Sequence, residues 1–279
     1  EDYKSIYKNK AVILDFSPHD YDRILSKRNI LTETISLNSF LDIDLDHLIN
    51  KINLIKPRIL IIDNPRINIG NILEKDQLEK ILQSVSTDTL IVLDESLKTF
   101  TDDHVAEFTS GIDFIKNYDN LIVLRSLSYS HALAGMRVAY AVSNEEIVKS
   151  LKMIRLPFNL SLYSLNLAIN LLNNDSVFES FSSKFIQEQK HFYYQKFSDL
   201  KLFYIKSYTN SILFSTPLPS EKLYQKLLEH NIIIQPMDKN FARVSISSPS
   251  NNSYFINNLK AVLENQNTPQ RLLHHSTDT

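Results

Sequence analysis

The sequence predicts an α/β fold in which a mostly parallel, doubly wound sheet is followed by a smaller carboxy-terminal α+β subdomain. Three observations point there. Apolar runs at residues 11–16, 58–62, 89–93 and 121–124 are continuous rather than alternating, as strands covered on both faces require. Helical patterns lie between them, and strand–helix–strand alternation is the signature of a layered sheet wound on both sides. Beyond residue 200 the runs become short and less regular, with helical patterns interspersed, as expected of an α+β unit.

The elements follow in chain order. Residues 45–54 and 75–85 carry apolar side chains at helical spacing, the second through Leu78, Ile81, Leu82 and Val85. Residues 138–142 read as a further strand, Asn144 followed by two glutamates opens a helix, and a long helical stretch follows Pro157 up to about Asp199. Short strands are expected at 202–205, 211–215, 232–235 and 242–247, with helices at 220–229 and 251–263. The expected division is a large domain over 1–175, a connecting helix with the small subdomain over 176–264, and a disordered polar tail over 265–279.

Composition narrows the function classes. With 279 residues, 43% of them hydrophobic, the chain can bury a sizeable core, and a net charge of −2 leaves no electrostatic footprint for nucleic acid or an anionic membrane. No apolar run is long enough to span a bilayer, so a soluble, cytoplasmic protein is expected. The absence of cysteine removes disulfides, thiolate ligands and a cysteine nucleophile. Three glycines, Gly70, Gly111 and Gly135, cannot build a glycine-rich phosphate cradle. His19, His47, His104, His131, His191 and His230 are dispersed and His274 and His275 lie in the tail, so no metal site is expected. There is no G-x-S-x-G elbow for serine hydrolysis.

The segment LIVLRSLSYSHALAGMRVAY at 121–140 is the most informative. It resembles the central motif of histidinol-phosphate aminotransferases, fold-type I pyridoxal-phosphate enzymes that read R-[ST]-[FL]-S-K-x-x-x-L-A-G-[LM]-R. Further landmarks agree in order: DNPRINIGN at 63–71 for the family's NPNNPTGN loop, VLDESL at 92–97 for VVDEAY, RLPFNLS at 155–161 for RxPFNVS, and FARVSI at 241–246 for its arginine-bearing strand. The resemblance runs from the 11–16 strand to about residue 263. The family's amino-terminal arm and its GSDE phosphate-binding turn have no counterpart in it.

The resemblance implies roles for retained residues. Asp94 matches the carboxylate that pairs with the pyridinium nitrogen, and Ser126, Ser128 and Arg137 match groups around the cofactor phosphate. Arg243 matches the arginine that holds the substrate carboxylate, and Asn210 falls near the family's substrate-side asparagine. The departures are larger. Tyr129 stands where the family has the imine-forming lysine, Ile67 replaces an asparagine and Leu97 a tyrosine that support the ring oxygen, and Asp20 or Tyr21 falls near the stacking tyrosine. Related sugar dehydratases use histidine at the lysine position, but His131 lies two residues on, out of register with the matched Ala134 to Arg137.

Transamination uses the lysine amine twice, to hold the cofactor and to move the proton, and a phenol supplies neither a nucleophilic nitrogen nor a base near neutral pH. The expectation is therefore a relative of histidinol-phosphate aminotransferase that binds or scaffolds without transaminating, with Tyr129 packed into the space of the missing cofactor. The competing reading is a pyridoxal- or pyridoxamine-phosphate enzyme acting on a small amino acid or amino sugar without its own lysine. Because the family assembles its sites between subunits, the resemblance implies a homodimer or a hetero-oligomer with an aminotransferase-like chain.

Overall fold

A computed structural model of the chain describes residues 9–101 and 108–267. The four apolar runs become neighbouring parallel strands, β1 (Lys10–Leu14), β3 (Ile59–Asp63), β4 (Leu90–Asp94) and β5 (Leu121–Ser126), with β2 (Leu31–Ile35) beside β1. β6 (Ala139–Ser143) closes the other side antiparallel to β5, giving the order β2-β1-β3-β4-β5-β6. The interior strands are the most apolar because both of their faces are covered.

One face carries α2 (Leu45–Ile55) and α3 (Lys75–Ser84), which seat Leu48, Ile52, Leu78, Ile81 and Leu82 on Val12, Leu60, Ile62, Leu93 and Val123. Asp44 caps α2 by accepting the His47 amide at 3.0 Å, and a Glu74–Gln77 capping box starts α3. The opposite face carries α1 (His19–Ser26), whose Leu25 and Tyr21 pack on Ala11, Ile13, Ile61 and Val92. The mostly parallel, doubly wound sheet is thus as the apolar pattern predicts.

After β5 come a single turn, α4 (Leu127–Ser130), then α5 (Glu145–Ile154), α6 (Leu162–Asn173) and α7 (Asp175–Asp199). The predicted long helical stretch is two helices, broken at Asn174, whose backbone (φ −121°, ψ 26°) leaves the helical region. The α+β part pairs β7 (Ser211–Ser215), β9 (Phe241–Ser245) and the two-residue β8 (Gln235–Pro236) in an antiparallel sheet of order β7-β9-β8. Tyr193 and Phe197 of α7 join Leu223 and Leu227 of α8 (Ser220–Leu228) and Phe255 and Leu259 of α9 (Pro249–Asn267) in its core. Residues 202–205 supply one bridge, Tyr204 to Phe214, instead of a strand, and 232–234 stay outside β8. The predicted tail at 265–279 is helical as far as Asn267; the rest of it lies outside the described residues.

One surface stands apart. Met153, Ile154, Leu156, Phe158, Leu162 and Tyr163, from the end of α5 through the start of α6, are each at least 69% exposed. So continuous an apolar stretch of surface is uncommon on a monomer. Among the described residues no helix is long and apolar enough to cross a membrane.

Candidate active site

The carboxyl ends of parallel strands are where open α/β sheets bind ligands, since the loops diverge there and backbone polar groups face outward. Here that edge holds two buried carboxylates in register, Asp63 ending β3 and Asp94 ending β4. Asp63 accepts from the Ile67 amide at 2.6 Å, Ser17 Oγ at 3.2 Å and Arg66 Nε at 3.2 Å. Arg66, 1% exposed, also donates through Nη2 to the Asp15 carbonyl at 2.6 Å. This buried pair fastens the 63–71 loop to β1, and nothing in the spacing of the sequence announces it.

Both oxygens of Asp94 have internal donors. Its Oδ1 accepts from the Ser96 amide at 2.9 Å and from the Ser96 hydroxyl, and its Oδ2 accepts from the Tyr21 hydroxyl at 2.6 Å. Burial, followed by the negative charges of Asp94 and Asp63, pushes the Tyr21 phenol far above its ordinary range, so it remains a donor. The neighbouring Glu95 is a structural anchor: it accepts from the Gly111 amide at 2.6 Å and Ser110 Oγ at 2.9 Å and pairs with Arg125 at 2.6 Å. Burial pushes its carboxyl up, and Arg125, Gly111 and Ser110 pull the other way.

The remaining expected site residues are scattered in their exposure. Ser126 Oγ caps α4 by accepting the Ser128 amide at 3.1 Å, which fixes the position of one expected phosphate ligand. Ser128 is half-buried beside it. Tyr129 is 50% exposed. The expectation of a packed aromatic filling a vacated cofactor space is therefore wrong at this position: the one-turn α4 lifts residue 129 off the core while Leu127 and Ser130 face inward. His131 is buried, its Nδ1 2.7 Å from Ser130 Oγ. Arg137, in the left-handed region at φ 57°, is exposed and donates to the Ala134 carbonyl at 3.0 Å.

On the small-sheet side, the Asn210 carbonyl accepts the Ile246 amide at 2.9 Å, and Arg243 reaches from β9 to the site loop. The Arg243 guanidinium donates to the Ile67 carbonyl at 3.0 Å and to Gln235 Oε1 at 2.5 Å. Burial lowers its pKa, with the nearby Tyr129 phenol opposing. Ile67 and Leu97 lie in one apolar cluster with Phe100 and Ile186. A cleft of about 400 Å³ does open nearby, but residues 13–18, Asp22, Thr34 and 236–238 line it, and neither Asp94 nor Arg137 does.

These groups do not fit pyridoxal phosphate held as in the resembled family. Both oxygens of the ring carboxylate have internal donors, the positions that support the ring oxygen are apolar, and the residue at the lysine position has no amine. Among the described residues no group of three or more histidine, aspartate or glutamate side chains is placed to hold a metal ion.

Comparison with known proteins agrees with the fold. A family model described as aminotransferase class I and II matches residues 20–259. Histidinol-phosphate aminotransferase of Caldicellulosiruptor saccharolyticus is 33% identical over 75% of this chain and 58% of its own length. A second, histidinol-phosphate aminotransferase 2 of Carboxydothermus hydrogenoformans, is 30% identical over 88% of this chain and 67% of its own. The crystal structure of the enzyme from Clostridium acetobutylicum superposes with a TM-score of 0.84 at 26% identity, covering 94% of this chain and 80% of that one. The pyridoxal-5'-phosphate complex of the Sinorhizobium meliloti enzyme shares the fold at a TM-score of 0.85 and 18% identity, covering 93% of this chain and 71% of that one. The chain spans about three fifths of the length of the first of these relatives. Sequence and architecture together place this chain in the family of class I and II aminotransferases.

Proposed function

We propose that this protein is a non-catalytic relative of histidinol-phosphate aminotransferase that serves as a binding or scaffolding subunit. The observation that carries the reading is Tyr129: a phenol at the lysine position, half exposed, leaves no amine for an imine or for proton transfer at the substrate carbon. The internal partners of Asp94 and Arg243 support it, because the two groups expected to address cofactor and substrate are already held by contacts within the chain. We place the large domain at 1–175 and the connecting helix with the small subdomain at 176–264.

The apolar surface at 153–163 supports a partner. We propose a second copy of this chain or an aminotransferase-like chain on that face. A second reading, an enzyme completed by a partner's lysine, draws on the retention of Asp94, Ser126, Ser128, Arg137 and Arg243. The test is amino-group exchange between amino acids and 2-oxo acids, with added pyridoxal phosphate, by wild type and Tyr129→Lys. Neither is expected to exchange. Exchange by wild type overturns the non-catalytic reading, and exchange by Tyr129→Lys alone shows that the rest of the site is intact.

A further inference from the structure

We propose that Tyr21 is a built-in occupant of the ring-binding position, its hydroxyl taking the place on Asp94 that a pyridinium N–H would need. The inference rests on the reading of Asp94 as the carboxylate that faces such a ring. The resemblance leaves residue 20 or 21 near a tyrosine that stacks on the ring, whereas here the Tyr21 hydroxyl lies on Asp94 itself.

Several independent features hold the phenol there. Tyr21 sits in the first turn of α1, its amide donating to the Pro18 carbonyl at 3.0 Å, and its ring packs with Leu25 on Ala11, Ile13, Ile61 and Val92. The side chain thus lies along the sheet face that carries Val92 and Asp94, with its oxygen at the end of β4. The O–H to Asp94 Oδ2 distance of 2.6 Å is that of a strong hydrogen bond to an ionised acceptor. Ser96 takes the other oxygen through two donors, so both carboxylate oxygens have partners within the chain. A pyridinium N–H that takes the phenol's place on Oδ2 must displace it from both the carboxylate and its apolar seat.

The probe is pyridoxamine 5'-phosphate, which carries the ring and phosphate but no aldehyde to react with surface lysines. Calorimetric titration should show no saturation of wild type at millimolar probe. Tyr21→Ala should bind about 10- to 100-fold more tightly, the factor that one charge-assisted hydrogen bond carries. Asp94→Ala in that background should remove the gain. Tyr21→Phe keeps the ring and frees the carboxylate; it covers the case in which Tyr21→Ala does not fold, and it too should bind more tightly than wild type. Equal or weaker binding by a folded Tyr21 variant overturns the occupant role, as does a gain that survives loss of Asp94. These outcomes are separate from the exchange assay: amino-group exchange by wild type would overturn the non-catalytic reading, while the comparison of variants would still decide the role of Tyr21.

Discussion

The exposed face at 153–163 makes a quantitative claim about assembly. Phe158 is 99% exposed and sits at φ 53°, a left-handed backbone that a bulky residue adopts only at a cost. In the proposed assembly that ring is buried in a partner. Seating one phenylalanine contributes roughly 1.5–3 kcal/mol and a symmetric dimer seats two, so Phe158→Ala should raise the dimer dissociation constant by about 100- to 10,000-fold. Leu162→Ala, on the same face at 73% exposure, should weaken association in the same direction. The assay is sedimentation equilibrium over a concentration series, with circular dichroism melting of each variant at low concentration. Phe158→Asn sharpens the test, because asparagine tolerates the left-handed backbone: it should lose association while the isolated chain melts no lower than wild type. A wild-type chain that stays monomeric at high micromolar concentration, alone and with aminotransferase-like chains, would refute the reasoning. So would a dissociation constant that Phe158→Ala leaves unchanged.

Other expectations concern single residues. Tyr129→Ala should change unfolding free energy by less than about 0.5 kcal/mol, as for other exposed positions, and a much larger loss in denaturant titration would revive the packed-filler reading. A β-carbon at Gly70, which has φ 105°, would lie 2.6 Å from Ser207 Oγ, so Gly70→Ala should destabilise by about 1–3 kcal/mol. Gly135→Ala, with nothing within 4 Å of the added carbon, should be close to neutral, and equal melting of the two variants would contradict the packing described. For Glu95 the folded pKa is raised above the unfolded one, so its contribution is present below the ordinary glutamate range and lost as pH rises through the raised value. The stability of wild type relative to Glu95→Gln should therefore fall from pH 4 towards neutrality; a rise would mean that Arg125 outweighs burial.

What was legible in the sequence follows what each side chain does alone. Continuous apolar runs located β1, β3, β4 and β5 because burial on both faces leaves no alternation to misread. β2 was missed because Leu31-Thr-Glu-Thr-Ile35 is an edge strand with polar, partly exposed side chains, and α1 because it is short and follows a strand with only a few residues between. β8 amounts to two residues whose pairing is set by β9 rather than by propensity. In the site, motif order located Asp94 and Arg243, but whether residue 20 or 21 faces the carboxylate depends on the turn at Phe16, with φ 59°, which spacing does not encode. Arg66 reads as a surface charge until its burial with Asp63 is seen.

The replacements at 67 and 97 are one physical event rather than two. An asparagine or tyrosine side chain there points a polar group at a ring oxygen, and without a ring that group would be buried unsatisfied at a cost of about 1–3 kcal/mol. Ile67 and Leu97 remove the group and join Phe100 and Ile186 of α7 in a shared apolar contact, the stabilising direction once no ring is present. The retained charges have a different cause. Asp94 answers Tyr21 and Ser96, and Arg243 ties β9 to the site loop through the Ile67 carbonyl, so each is kept in place by the fold itself. Retention of these residues therefore fits a role within the fold as well as one in catalysis, whereas loss of the groups that only a ring could satisfy weighs against catalysis. A lysine placed at 129 would regain the amine while positions 67 and 97 stayed apolar.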